Sequence, residues 1–188
     1  MRELVELFAF PLEDLGLSYG LTGAVAATVY GRARLTSDID IVAALAPRDA
    51  ERLHAAFDSE SFYVPPVEVM REEAARPSLG HFNLLHQASG LRADFYLAGE
   101  DEEKLDSIRE ARAVTLGGRS VRVLAPEHVI LNKLRFRKLG AGEKHVLDVR
   151  AMIETMGSGL DRQRLEAMVH RSGLDRQWNE VLESGPQV

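Results

Sequence analysis

Ser37-Asp38-Ile39-Asp40-Ile41-Val42-Ala43 sets polar and apolar side chains in alternation, the period-two mark of a strand with one face turned to a core. Ile39, Ile41 and Ala43 take the core face, which sends Asp38 and Asp40 out together on the other. Upstream, residues 23–30 are rich in small apolar side chains (Ala24, Val25, Ala26, Ala27), suiting a helix packed close against a sheet, and Gly31 is a natural stop. Leu17-Ser18-Tyr19-Gly20-Leu21 before it is short enough for a strand, and residues 5–15 read as an opening helix that ends at Gly16.

Downstream, Pro47 opens a helix over 48–57, because a proline in the first turn gives up an N–H that has no partner there. Tyr63-Val64-Pro65-Pro66-Val67 interrupts regular structure. Residues 81–86 and 91–97 flank Gln87-Ala88-Ser89-Gly90 as a hairpin, and residues 112–116 and 120–124 form a second about Gly117-Gly118-Arg119. Four helical stretches follow, over 126–138, 143–156, 161–171 and 174–182, separated by glycines. The order predicts an α+β fold: a mixed β-sheet flanked by helices over residues 1–125, and a C-terminal helical region over 126–188 packed on it.

Composition narrows the chemistry. Cysteine is absent, which excludes disulfides, thiolate metal sites and a cysteine nucleophile. No apolar run approaches the roughly 20 residues that span a bilayer, and acids in Met1-Arg2-Glu3-Leu4-Val5-Glu6 do not suit a secretory signal, so a cytoplasmic location with no membrane partner is expected. A net charge of −6 argues against nonspecific nucleic-acid binding by the whole surface. One segment runs the other way: Lys133, Arg135, Arg137, Lys138, Lys144 and Arg150 stand against only Glu143 and Asp148, and are expected to form a local patch for a polyanion or a solvated helix face. Residues 100–106 form an acidic stretch. The six histidines show no zinc-like spacing within a helix, and no Gly-x-Ser-x-Gly elbow is present.

Asp38 and Asp40 place two hard oxygen ligands side by side, and such a pair repels itself unless a cation or hydrogen-bond donors compensate. Magnesium, or manganese in its place, does so while also clamping a triphosphate. In Leu91-Arg92-Ala93-Asp94-Phe95-Tyr96-Leu97 the alternation puts Leu91, Ala93, Phe95 and Leu97 in the core and turns Asp94 away from it. A third carboxylate beside such a pair can hold a second metal and act as base for an incoming hydroxyl. Asp38, Asp40 and Asp94 are therefore the expected catalytic and metal-binding residues. Gly20-Leu21-Thr22-Gly23 ends the first strand and starts the small-residue helix, offering backbone N–H groups and a helix N-terminus to phosphate.

The run from Leu21 to Ile41, a glycine-led helix followed by a strand bearing Asp-x-Asp, resembles the polymerase-beta-like nucleotidyltransferase superfamily. Gly31-Arg32-Ala33-Arg34-Leu35-Thr36-Ser37-Asp38-Ile39-Asp40 looks like its small bacterial branch, the AbiEii and MenA toxin-like nucleotidyltransferases. Pro126-Glu127-His128-Val129-Ile130-Leu131-Asn132-Lys133-Leu134 and Lys144-His145-Val146-Leu147-Asp148-Val149 are similar to that branch's later helices. The resemblance implies transfer of a nucleoside monophosphate from an NTP to a hydroxyl acceptor, such as a tRNA 3′ end, a protein side chain or a small molecule, with release of pyrophosphate. It implies Lys133 as a nucleotide contact. Arg137 shares a helix face with Lys133 four residues on, while Arg34 and Thr36 sit in a loop that can face phosphates. Lys144 and Asp148 have the same spacing, which suits a simple intrahelical pair or an Asp148 that orients Lys133 or Arg137.

One position departs from the superfamily pattern. The helix entrance usually reads Gly-Gly or Gly-Ser, and here it is Gly23-Ala24. Phosphate contact at this point then rests on backbone donors of Gly23 and Ala24 or on the hydroxyl of Thr22. The departure also motivates a different reading, in which the fold binds a nucleotide or an antitoxin-like partner protein without turnover.

Overall fold

The computed structural model describes residues 1–140 and 142–183. The chain divides into two compact units, one of residues 1–25 with 35–124, the other of residues 26–34 with 125 onward.

The first unit carries the whole sheet. The opening helix runs through α1 (Arg2–Leu4), a π-helical stretch over Val5–Ala9, and α2 (Phe10–Asp14). Its irregularity has a local cause: Pro11 lies inside it and donates no N–H, so the ladder shifts register, and the Phe10 amide bonds the Val5 carbonyl five residues back. Then come β1 (Ser18–Thr22), α3 (Gly23–Tyr30), β2 (Asp38–Ala44), α4 (Ala50–Ala55), β3 (Phe62–Tyr63), α5 (Val67–Ala74), β4 (His81–His86), β5 (Arg92–Leu97), α6 (Glu102–Arg109), β6 (Arg112–Leu116) and β7 (Arg119–Val123). Among the described residues these make one seven-stranded sheet of order β3-β4-β5-β2-β1-β7-β6. Pairs β2–β5 and β1–β7 are parallel and the others antiparallel, so the sheet is mixed.

Alternation in β2 and β5 holds as the sequence implies: Ile39, Ile41, Ala93, Phe95 and Leu97 are buried on one face. Leu21 and Leu84 join that layer from β1 and β4, and Phe82 stacks on Phe95 with centroids 4.9 Å apart. Phe8 of the opening helix meets Phe57 at 6.4 Å and Phe62 at 5.8 Å. That cluster explains the two-residue β3, which the proline-rich segment around it concealed: Phe62 is held by rings distant in sequence, and its register with His86 follows. Two further helices escape the pattern of the sequence. Pro66 stands at the N-cap of α5, so the segment read as an interruption runs into a helix at Val67, and Asp101 accepts hydrogen bonds from the Glu103 and Lys104 amides, both at 3.1 Å, at the start of α6. The acidic stretch is thus a helix N-terminus, where Glu102 and Glu103 oppose the positive end of the macrodipole.

The second unit is helical: the last turns of α3, then α7 (Pro126–Lys138), α8 (Lys144–Met156), α9 (Arg162–Arg171) and α10 (Asp175–Glu183). Val129, Ile130, Leu134, Val149, Met152, Leu165, Val169 and Trp178 form its core. Gly31 allows a close approach, since a Cβ there would lie 3.1 Å from the Met152 amide nitrogen of α8, tighter than an ordinary contact. The buried Glu127 accepts from the Asp161 amide at 3.0 Å, fixing the residue that caps α9. No helix among the described residues is long and apolar enough to cross a membrane.

Ile41 is fully buried while Leu35 is 99% exposed. Ile41→Ala is expected to lower unfolding free energy by about 2–5 kcal/mol, and Leu35→Ala to stay within about 0.5 kcal/mol of wild type, both read from urea denaturation.

Candidate active site

The parallel pairing of β2 with β5 sets Asp38 opposite Arg92, Asp40 opposite Asp94 and Val42 opposite Tyr96. On the flanks, β1 sets Thr22 opposite Asp40, and β4 sets Asn83 opposite Asp94 and His81 opposite Tyr96. Residues in register share a face, so one row across four strands reads Thr22, Asp40, Asp94, Asn83, with neighbours about 4.8 Å apart in the hydrogen-bonding direction. Asp38 stands two residues from Asp40 on the same face. The fold thus brings Asp38, Asp40 and Asp94 to one patch of sheet, opposite the apolar layer.

Each carboxylate is answered by protein. Asp38 accepts from the Thr36 hydroxyl, which also bonds the Asp38 carbonyl at 3.2 Å. Asp40 accepts from the Tyr96 hydroxyl, whose pKa is pushed well up, by burial first and then by the charges of Asp40 and Asp94. Asp94 turns from the core yet is itself buried. Its Oδ2 takes both Nε (3.1 Å) and an amino nitrogen (2.9 Å) of Arg92, and His81 Nε2 lies 3.9 Å from its Oδ1. The same Arg92 nitrogen reaches to 3.8 Å from Asp38. Arg92, Tyr96 and His81 were not singled out from the sequence. Period two puts 92, 94 and 96 on one face, but which strands lie alongside is decided by pairings across distant residues.

The helix entrance abuts this patch. Gly23 has φ +63°, and a Cβ on it would fall 1.7 Å from Asp40 Oδ2, so glycine is demanded both by backbone conformation and by the approach of the carboxylate. Ala24 is buried behind it. Thr22 is 5% exposed and its Oγ1 has no hydrogen-bond partner among the described residues, leaving a hydroxyl beside Asp40 with its capacity unused.

Three carboxylates on one face, a cradle that only glycine leaves open and an orphaned hydroxyl form a donor set suited to a hard divalent ion with a phosphate ligand. As the side chains stand they point to their protein partners, and among the described residues no three acidic or histidine groups converge closely enough to hold a metal.

The remaining predicted residues lie in the second unit. Lys133 is buried, its Nζ 2.7 Å from Asp148 Oδ2, and Arg34 Nε lies 3.4 Å from Asp148 Oδ1. Asp148 on α8 therefore joins cations from two other segments. Arg137 grips both carboxylate oxygens of Glu180 through its Nε, at 3.1 and 3.0 Å, tying α7 to α10. Lys138 bonds the Gly173 carbonyl at 3.1 Å. Much of the basic segment is spent on internal contacts, which its spacing did not reveal. His145, stacked on Phe136, has its pKa lowered to about 4, by burial first and then by the Lys133 and Lys144 charges.

Two outcomes follow from these environments. Gly23→Ala is expected to destabilise the fold by about 1–3 kcal/mol through backbone strain and displacement of Asp40, measured by thermal unfolding. His145, neutral when folded, takes up a proton more readily when unfolded, so its burial costs stability as pH falls from about 6.5 to about 4. Above that window it contributes no slope. Urea titrations across pH are expected to show a steeper acid loss in wild type than in His145→Phe.

No family model and no curated protein sequence matches the chain. Solved structures do. An antigenic nucleotidyltransferase-like protein from Paracoccidioides brasiliensis superposes with TM-score 0.59 at 16% identity, over 97% of this chain and 92% of that one. The antibiotic-resistance factor ANT(2″)-Ia gives 0.62 at 14% identity, over 96% and 94%, and has also been solved in complex with adenylyl-2″-tobramycin. The lincosamide antibiotic adenylyltransferase LnuA, lincomycin-bound, gives 0.50 at 13% identity, over 75% and 89%. The fold, a mixed sheet flanked by helices, is that of the nucleotidyltransferases.

Proposed function

We propose that this chain is a metal-dependent nucleotidyltransferase that moves a nucleoside monophosphate from an NTP to a hydroxyl acceptor. The observation that carries the reading is the register of β2 and β5, which puts Asp40 directly opposite Asp94 with Asp38 beside them on the same face. Asp38, Asp40 and Asp94 would hold magnesium or manganese, and the ion would supply charge neutralisation for the phosphates and for the attacking and leaving oxygens.

The amides of Gly23 and Ala24 and the free hydroxyl of Thr22 bind phosphate oxygens; Thr22 takes the place of the serine that usually follows the glycine. Thr36 orients Asp38, and Tyr96 orients Asp40. The acceptor oxygen attacks the α-phosphorus, the bond from that phosphorus to the β-bridging oxygen breaks, and pyrophosphate leaves. The hydroxyl proton passes to the Asp94 carboxylate. In the second unit Asp148 gathers Lys133 and Arg34, and Glu180 holds Arg137; a role for these three as nucleotide contacts rests on the sequence resemblance alone.

The acceptor class divides among a tRNA 3′ end, a protein side chain and a small hydroxylated molecule. The antibiotic complexes of the structural neighbours ANT(2″)-Ia and LnuA support including the last. A second reading, a nucleotide- or antitoxin-like-partner-binding module without turnover, is favoured by Ala24 at the helix entrance and by carboxylates that do not converge.

The test is incubation with α-labelled NTPs, magnesium or manganese, and separate pools of tRNA, lysate protein and hydroxylated antibiotics. Label transfer is expected in one pool, to vanish with EDTA and to fall by about 10²-fold or more in Asp38→Asn/Asp40→Asn. Transfer that survives the double substitution refutes the assignment, and tight NTP binding with no transfer to any pool selects the second reading.

A further inference from the structure

Among the described residues of the strand face that carries the three carboxylates, Arg92 is the guanidinium placed between them. It sits opposite Asp38 in the parallel register, its amide donates to the Ser37 carbonyl at 3.0 Å, and two of its guanidinium nitrogens converge on one oxygen of Asp94. One of those nitrogens lies 3.8 Å from Asp38. The positive charge therefore rests between two of the three groups that a divalent ion would need. The anchoring is asymmetric, with Asp94 buried and Arg92 about half exposed. Its long side chain can leave toward solvent while the carboxylate stays.

We infer that Arg92 is a displaceable counter-ion that makes metal occupancy of the carboxylates conditional on a phosphate-bearing ligand. This rests on the nucleotidyltransferase reading of the site. In the ligand-free protein the guanidinium holds Asp94 and offsets Asp38, so a bare divalent ion must compete with a cation tethered in place. A triphosphate changes the balance, because a planar guanidinium bonds phosphate oxygens through paired N–H donors at least as well as it bonds a carboxylate. Once Arg92 moves to the phosphate, Asp38 and Asp94 are released for the ion the nucleotide brings. The arrangement selects a metal–nucleotide complex over free metal, and it explains carboxylates that share a face without converging.

The inference is tested with two direct binding measurements on full-length wild type, Arg92→Met and Arg92→Lys, each first checked for folding by circular dichroism. Manganese alone is titrated by electron paramagnetic resonance, and a fluorescent non-hydrolysable NTP analogue is titrated in EDTA. Arg92→Met is expected to bind bare manganese roughly three- to tenfold more tightly than wild type, as loss of a partly exposed ion pair allows, and to bind the metal-free nucleotide more weakly. Arg92→Lys, which keeps the charge but loses the two-nitrogen grip, is expected between the two; it also serves if the methionine variant does not fold. A residue with only a structural role would weaken both ligands together, and that result overturns the inference, as does unchanged manganese affinity. Asp38→Asn/Asp40→Asn in the Arg92→Met background separates the two levels of the account. Manganese lost in that triple variant, with wild type and Arg92→Met equal, defeats the counter-ion role alone; manganese retained there defeats the carboxylate metal site and the counter-ion role with it.

Discussion

The parallel pairing of β2 with β5 is the constraint on which the candidate site depends. Neither strand carries the site alone: β2 contributes Asp38 and Asp40, β5 contributes Asp94 and Arg92, and only their register makes Asp40 and Asp94 neighbours. A slip of β2 by one residue would turn Asp38 and Asp40 into the apolar layer beside Phe95 and expel Ile39 and Ile41 from it, at a cost in buried charge that the fold cannot sustain. The hydrophobic face thereby secures the polar one. The long connection that a parallel pair needs is filled here by α4, β3, α5 and β4, and the aromatic cluster of Phe8, Phe57 and Phe62 holds part of that connection in place.

Gathering three carboxylates raises the energy of the folded state unless positive charge or donors accompany them. The protein supplies them locally, with the Thr36 hydroxyl on Asp38, the Tyr96 hydroxyl on Asp40, and Arg92 on Asp94. These contacts make the ligand-free patch a stable arrangement. They also mean that any ligand recruited to it must replace them, which favours one that brings both cation and anion. Thr22 is the exception, a buried hydroxyl beside the glycine entrance with no hydrogen-bond partner among the described residues, and under the proposed function it is the group offered to that anion.

Much of this was legible in the amino-acid sequence because it depends on local rules. The alternation around Asp38 and Asp40, the small-residue helix from Gly23 and the hairpin at 87–90 each follow from neighbours within a few residues, and the structure places strands and helix there. The orientation of Asp94 away from the apolar face follows from the same period. What was not legible depends on distant partners. Arg92, Tyr96 and His81 acquire meaning only when β5 lies between β2 and β4. The burial of Lys133 against Asp148 depends on how α7 and α8 pack, and the pairing of Arg137 with Glu180 on α10. Phe62 becomes a strand residue through ring contacts, and α5 and α6 were masked by prolines and acids that serve as helix entrances.

The claim that unites the account is that a divalent ion joins Asp38, Asp40 and Asp94 when a nucleotide is bound. Anomalous diffraction at the manganese edge, from crystals grown with manganese and a non-hydrolysable NTP analogue, tests it most directly. An anomalous peak is expected at oxygen-ligand distance, about 2.0–2.2 Å, from carboxylates of both β2 and β5, with phosphate oxygens beside Gly23. A well-ordered nucleotide bound away from that row, with no manganese on these carboxylates, would contradict it.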